Sequence, residues 1–274
     1  MMHRIRFQEG SRTLSALSSL RNHHIKMTNL VKMTNLELIT VLRESTFTNE
    51  DGEDYQLEFE PALTAQELQE CAKRFPNGSI DSEVEEILKV TKGWDRAWPE
   101  AVYFDSVNEF GFAELLPYSV TLGTDGLGNS WVLDLDSAGN AGKVFFACHD
   151  PAVLIVHSQN ITEYLIHLLD SYRNPGACHV NNVQDHIIYD VWKHDRCTSK
   201  KSDFLAAHPH YHEFLSQFSG EEWSVADLRG GQNKAGFAWG RYDATNLTQR
   251  HPTEMLWVMK NNKRGFLNRL MDKK

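Results

Sequence analysis

The central part of the chain has a hydrophobic pattern with a period of two residues. In the run from Ser130 to Asp136, apolar side chains occupy alternate positions, and the other set includes Asp134 and Asp136. This alternation is typical of a β-strand with one buried face. Turn-forming residues at Thr124–Asn129 and Ser137–Gly142 flank the run. Further runs of strand length are Tyr118–Gly123, Lys143–Cys148 and Val153–His157. The pattern predicts a four-stranded antiparallel meander.

Helical periodicity appears on both sides of these strands. The segment "NITEYLIHLLDSY" places apolar residues on one helical face, and Asn160 and Glu163 have the spacing of a helix cap. Upstream, Thr64 and Glu67 open the pattern "LTAQELQECAKRF", and the pattern "SIDSEVEEILKVTKGW" predicts a second helix that ends at Gly93. Helices that are separated along the chain from an antiparallel sheet predict an α+β fold, with the last helix lying across the sheet.

The segment from Leu122 to Asp150 is rich in glycine and aspartate, which raises the question of a ligand-binding loop. A phosphate loop leads from a strand into a helix, whereas a second strand follows here. An EF-hand loop needs oxygen-bearing side chains at every second position, but only Gly126, Leu127 and Gly128 separate Asp125 from Asn129. The segment is therefore predicted to form turns.

Several of these segments together resemble one protein family. The sequences "KVTKGW", "NEFGFAELLPYSV", "GTDGLGNSWVLDLD" and "GKVFFACHD", followed by the closing helix, resemble in order the SUKH superfamily. The resemblance covers Leu63 to Arg173, and the tail that begins "WSVADLRGG" resembles an extension found on some bacterial members. The resemblance implies an antiparallel meander sheet flanked by helices. It also implies a non-enzymatic immunity protein that neutralises a secreted polymorphic toxin by binding it. The alternative is a regulatory or scaffold module, as in the fungal cell-wall regulators of the family.

Composition and charge narrow the class of partner. The 274 residues carry a net charge of −9. Residues 1–32 contain six Lys or Arg and one Glu, a net +5, so the remainder carries −14. A body this acidic repels nucleic acid and attracts a basic protein, although the charge also serves solubility. No apolar run is long enough to span a bilayer. Four cysteines without a C-x-x-C pair favour reduced thiols in a cytoplasmic protein.

The chain is predicted to have three parts. Residues 1–32 are interpreted as a basic leader that is disordered or an overextended start, with Met27 and Met33 as alternative starts; a mitochondrial presequence is the alternative. Residues 33–173 form the SUKH-like domain, which ends at the break "NPGA". Residues 174–274 form a smaller α+β extension that begins with a helical pattern and continues with strand-like runs. The oligomeric state is left open.

Two clusters suggest chemistry without completing a catalytic or metal site. The run "HPHYH" carries His208, His210 and His212, but Pro209 favours a helix start that would direct the imidazoles to different sides. Asp134 and Asp136 have the strand spacing of paired carboxylates, which would suit a hydrolase, but no third group accompanies them. We therefore expect no enzyme activity, no cofactor and no metal.

Aromatic and acidic residues crowd the segment from Trp94 to Tyr118. Aromatic anchors with surrounding carboxylates would suit the binding of a basic toxin domain, although at least half of the aromatics are expected in the core. The predicted partner-binding residues, which include three aspartates of the following hairpins, are Trp94, Trp98, Asp105, Glu109, Phe112, Glu114, Asp125, Asp134 and Asp136.

Overall fold

The computed structural model describes residues 30, 32–49, 51–95, 101–242 and 247–261. Trp98 and nearly all of the predicted leader lie outside the described residues. Leu30, the first residue described, packs against the main hydrophobic core.

The protein has the predicted α+β fold, built around a large antiparallel sheet. In chain order, the strands are β1 (Phe47–Thr48), β2 (Asp54–Tyr55), β3 (Glu58–Phe59), β4 (Gly93–Asp95), β5 (Ala101–Tyr103), β6 (Ser119–Thr124), β7 (Ser130–Leu135), β8 (Ala141–His149), β9 (Ala152–Ser158), β10 (Thr198–Lys200), β11 (Trp223–Asp227), β12 (Gly236–Phe237), β13 (Thr248–Arg250) and β14 (Leu256–Lys260). The eight-stranded sheet has the order β12-β9-β8-β7-β6-β5-β4-β3. A four-stranded sheet has the order β10-β11-β14-β13, and β1 pairs with β2.

Helices cover the outer faces of both sheets. The α-helices are α1 (Asn35–Glu44), α2 (Ala65–Ala72), α3 (Ser82–Leu88), α4 (Ile161–Arg173), α5 (His179–Asn182), α6 (Ile188–His194), α7 (Lys201–Ala207) and α8 (His212–Ser216). A π-helical turn, Val183–Ile187, joins α5 to α6, and 3₁₀ turns lie at Pro209–Tyr211 and Trp239–Arg241. As predicted, α4 lies across the sheet, where it contacts β8 and β9.

Side-chain caps begin these helices where the sequence predicts them. The hydroxyl of Thr64 accepts a hydrogen bond from the Glu67 backbone, and the Glu67 carboxylate accepts one from the Thr64 backbone. The Asn160 side chain accepts a hydrogen bond from the backbone of Glu163 at α4. Both predicted caps are confirmed.

The predicted end of α3 at Gly93 is wrong. The helix ends at Leu88, and Gly93 instead begins β4 with φ +150°. A Cβ atom at Gly93 would overlap the backbone carbonyl of Val102 on the neighbouring strand. Glycine is needed there for close strand pairing, and not as a helix stop.

The predicted meander β6–β9 is confirmed, but its strands are more buried than the alternation indicated. Along β7, Trp131 and Leu133 pack in the main core beneath the helices, while Val132 packs on the opposite face. The four-stranded sheet covers that opposite face, where Trp257 lies 6.1 Å from Phe145 between ring centroids. The prediction of a half-buried strand was therefore wrong.

The glycine- and aspartate-rich segments form turns, as predicted. Asp125 accepts hydrogen bonds from the backbone of Leu127 and Asn129, and Asp136 accepts the equivalent bonds from Ala138 and Asn140. In each turn the asparagine side chain also donates to the aspartate carboxylate. These carboxylates thus stabilise the hairpins by satisfying the turn backbone.

The "NPGA" break does not end the main core. Cys178, Val180, Val183, Ile188 and Val191 follow this break, yet they belong to the same buried cluster as the meander. Strand β12 also extends the large sheet by pairing with β9. A domain boundary at residue 174 implies that all later residues pack apart from the first domain. Instead, the first helices after residue 174 and strand β12 are part of the main core and the large sheet.

Candidate functional site

Two of the predicted partner-binding residues are unavailable to a partner. Trp94 is fully buried, and its indole Nε1–H donates to the Tyr172 hydroxyl (2.9 Å). Asp134 is also buried, and both of its oxygens accept hydrogen bonds from Arg250. Predicting Trp94 and Asp134 as surface residues was wrong because helices and the second sheet cover both faces of the large sheet. Trp98 lies outside the described residues.

Asp105 and Glu109 lie together near the end of α2. Arg74 donates to the backbone carbonyl of Asp105 (2.6 Å) and forms an ion pair with Glu109 (3.5 Å). Tyr103, two residues before Asp105, is 42% exposed on β5. This part of the predicted surface therefore combines carboxylates with an accessible aromatic ring.

The remaining predicted residues are dispersed. Phe112 is half-buried against Trp239, with a centroid separation of 4.9 Å, and Glu114 is half-buried in the same loop. Asp125 and Asp136 are half-buried in their two turns. Partial burial raises the pKa of Asp136, but hydrogen bonds from Asn140, Ala138 and Gly139 outweigh it and lower the pKa. The turns that hold Asp125 and Asp136 lie at opposite ends of β7, so the predicted residues do not form a single cluster.

A larger acidic region lies outside the segment that the sequence analysis predicted as the binding surface. Residues 44–72 contain nine Asp or Glu and no Lys or Arg. The eight members that the structure describes are all exposed, and we call them the acidic surface: Glu44, Asp51, Glu53, Asp54, Glu58, Glu60, Glu67 and Glu70. Some are tied into the fold, since Glu67 caps α2 and Glu60 lies 3.7 Å from Lys92.

The acidic surface continues towards the predicted residues. Glu58 on the edge strand β3 is the register partner of Asp95 on β4, and both are exposed. At the other side, α2 leads through Arg74 to Asp105 and Glu109. Carboxylates on an edge strand also discourage pairing with other chains, so part of this charge serves the fold.

A second candidate site, missed by the sequence interpretation, is a buried cluster of three histidines. His157 lies on β9, His167 on α4 and His179 at the start of α5. One ring nitrogen from each histidine lies within 4.8 Å of one from each of the others. The rings of His167 and His179 stack at 4.0 Å, and the ring of His157 lies edge-on to both.

Hydrogen bonds orient these imidazoles. The Ser158 hydroxyl lies 2.9 Å from Nδ1 of both His157 and His167. Nε2 of His179 lies 2.8 Å from the carbonyl of His157, which can only accept, so His179 is protonated at Nε2. Nε2 of His157 is buried and has no hydrogen-bond partner among the described residues. The same holds for the hydroxyl of Tyr164, whose ring centroid lies 5.7 Å from that of His157.

Burial keeps the three imidazoles neutral. It lowers the pKa of His157 well below the usual range and that of His167 to about 3, in each case with a further contribution from His179. Burial also lowers the pKa of His179, against an opposing effect of the His157 carbonyl. Neutral imidazole is the form that binds metal ions.

His179 also lines a cavity of about 420 Å³. Other side chains around this cavity belong to Cys178, Asp185, His186 and Lys234. The histidine cluster therefore borders a space large enough for a small ligand.

Only weak signals in the sequence could have revealed the cluster. The histidines are separated by ten and twelve residues, which matches no short metal-binding motif. His157 does, however, share a strand face with the apolar Ile155 and Val153, and His167 lies within the run of buried residues of α4. Histidines at core-facing positions of a strand and of the helix that crosses it were the available indication.

The "HPHYH" run forms no comparable cluster. Pro209 begins a 3₁₀ turn and His212 begins α8, so a helix start replaces the strand, as predicted. All four cysteines are free.

Among the described residues, none of the helices has the length and apolar character that membrane crossing requires.

Comparisons with known proteins give no identification. No family model, no curated protein and no solved structure matches the chain.

Proposed function

We propose that the protein is an immunity protein that binds a cognate secreted bacterial toxin and neutralises it by direct contact, without chemistry of its own. The observation that carries this proposal is the ordered resemblance of residues 63–173 to the SUKH superfamily. The α+β fold with its antiparallel meander agrees with the fold that this resemblance implies. On this proposal the protein acts in the cytoplasm, where the toxin would act.

The charge distribution supports a basic partner. The acidic surface offers eight exposed carboxylates from a stretch without lysine or arginine. Exposed charges of one sign accelerate the association of an oppositely charged protein. A toxin domain with a basic surface, for instance one that acts on nucleic acid, fits this acidic surface.

An exposed aromatic ring two residues before Asp105 supplies an apolar anchor. Tyr103 is 42% exposed and lies on the strand that pairs with β4, close to Asp105. Binding energy at protein interfaces concentrates in such tyrosines and tryptophans, with charged residues at the rim. Tyr103 takes the place that the sequence interpretation gave to Trp94.

The alternative is a regulatory or scaffold module like those in the fungal branch of the family. Such a module would use the same acidic surface to hold a partner that is not toxic. The two proposals therefore differ in the partner and not in the binding surface.

The test uses the full-length protein as bait in its native host, followed by mass spectrometry of the proteins that it retains. Each retained protein is then expressed alone in a sensitive bacterium, and again together with this protein. An immunity function requires that one retained protein be toxic alone and harmless in co-expression. If the retained partners are not toxic, the scaffold alternative replaces the immunity proposal.

A further inference from the structure

We propose that His157, His167 and His179 form a binding site for a divalent transition-metal ion of the zinc class. Three imidazoles on three different elements converge, each with a nitrogen within 4.8 Å of the other two. This inference does not depend on the proposed function.

The separation of the nitrogens is close to that of a metal site. For three atoms that are at most 4.8 Å apart, there is always a point that lies within about 2.8 Å of all three, whereas zinc–imidazole bonds are about 2.0–2.1 Å. Small rotations of the rings that move each nitrogen by about 0.7 Å towards the ion close this difference.

The existing hydrogen bonds leave one nitrogen of each ring for a metal. In the tautomers that a metal requires, Nδ1–H of His157 and of His167 each donate to the Ser158 hydroxyl oxygen, and Nε2–H of His179 donates to the His157 carbonyl. Metal-binding histidines typically use their second nitrogen in this way, because that hydrogen bond fixes the ring and the tautomer.

The buried Nε2 of His157 points independently to an occupant. It is fully buried and unpartnered among the described residues, and a buried polar atom without a partner is destabilising. A metal ion would satisfy this nitrogen. A buried water bridging Nε2 and the equally unpartnered Tyr164 hydroxyl is the competing occupant.

The donor set indicates the class of metal. Three neutral nitrogens suit zinc and its neighbours such as cobalt, nickel and copper, whereas calcium and magnesium require oxygen ligands. Glu163 and Asp170 favour a positive charge near His179, while Lys234 opposes it. Because His179 also lines the cavity, a fourth ligand such as water or a small anion can reach the ion from that side.

The test uses the untagged full-length protein after treatment with a chelator. Equilibrium dialysis against Zn²⁺ is expected to give one ion per chain, and Zn²⁺ is expected to raise the thermal midpoint by several degrees, because it binds the folded state. Co²⁺ is expected to give the intense visible absorption of a four-coordinate site. The proposal is overturned if the folded protein binds no stoichiometric Zn²⁺, or if it binds Zn²⁺ but its Co²⁺ form lacks this absorption. A buried water is then the occupant.

Variants locate the site. His179→Gln and His167→Gln are each expected to abolish stoichiometric binding and the midpoint increase. His186→Gln is the matched control, because His186 lines the same cavity but is exposed and outside the cluster. Loss of binding in the control, or its retention in both cluster variants, would place the metal elsewhere. If the variants fail to fold, the Co²⁺ spectrum of the unaltered protein still decides.

Discussion

Arg250 on β13 binds both carboxylate oxygens of Asp134 on β7, across 116 positions of sequence. Both side chains are buried, with exposed fractions of 5% and 3%. The pair joins the four-stranded sheet to the centre of the large sheet. A buried ion pair is costly to break on one side only, because the remaining charge is left without a partner.

Replacing Arg250 by methionine is expected to lower the free energy of unfolding by about 3–5 kcal/mol. The double variant Asp134→Leu, Arg250→Met removes both charges and is expected to recover most of this loss. Urea unfolding of both variants and of the unaltered protein measures the difference. Equal destabilisation in the single and double variants would contradict an ion pair at this position.

The loss in Arg250→Met is expected to depend on pH. Burial already raises the pKa of Asp134 to about 6, against the opposing effect of Arg250, and removing Arg250 raises it further. The folded variant then binds more protons than the unfolded chain between pH 3.8 and the raised pKa of Asp134, so its stability falls as the pH rises across this range, which extends above 6. The variant should be less destabilised at pH 5 than at pH 8. An identical loss at both values would show that Asp134 stays ionised.

Replacing Tyr172 by phenylalanine is expected to destabilise the protein by about 1–3 kcal/mol, the cost of a buried donor without a partner. The substitution removes the hydroxyl that accepts the hydrogen bond of Trp94, and the buried indole N–H is left unpaired. Thermal unfolding measures the change. Tyr189→Phe is a suitable control, because Tyr189 is 58% exposed and its hydroxyl can bond to water.

Alanine at Gly93 is expected to cost about 2–5 kcal/mol, because it combines an unfavourable φ with overlap against the carbonyl of Val102. Gly111→Ala is the matched control. A Cβ at Gly111 meets no atom within 4 Å. Similar stability of both variants in chemical denaturation would contradict this role of Gly93.

If the protein binds a basic partner as proposed, charge reversal on the acidic surface is expected to slow that binding. The variant Glu44→Lys, Asp51→Lys, Glu53→Lys should reduce the association rate at low salt and flatten its salt dependence, because steering is screened over about 8 Å at physiological ionic strength. The control Asp203→Lys, Glu213→Lys, Glu221→Lys makes the same change in net charge on exposed residues of the C-terminal region. Equal effects of the two triple variants in stopped-flow association would show that only total charge matters.

The exposed ring of Tyr103 is expected to affect mainly the dissociation rate of the complex, and not its association rate. Tyr103→Ala should cost about 2 kcal/mol of binding free energy, mostly as faster dissociation, if this ring is the interface anchor. Surface plasmon resonance with the partner retained in the bait experiment measures both rates. Unchanged dissociation in folded protein would exclude this part of the face.

Local patterns in the sequence determined the elements of this fold. The caps at Thr64 and Asn160 and the turns at Asp125 and Asp136 were predictable, because their hydrogen bonds join residues at most four positions apart. Period-two runs between such turns were sufficient to predict the meander, since consecutive antiparallel strands need only short connections.

Only the tertiary structure decided which faces are covered. The alternation in β7 has the same appearance whether water or a second sheet lies over Asp134, and the partner Arg250 is 116 residues away. Trp94 was placed on the surface for the same reason, because its burial depends on α4 through Tyr172. The three histidines meet only because α4 crosses β9 and the chain then returns through α5. The sequence alone determined the local hydrogen-bonded structure, whereas the buried ion pair and the histidine cluster required the packing of segments that are distant along the chain.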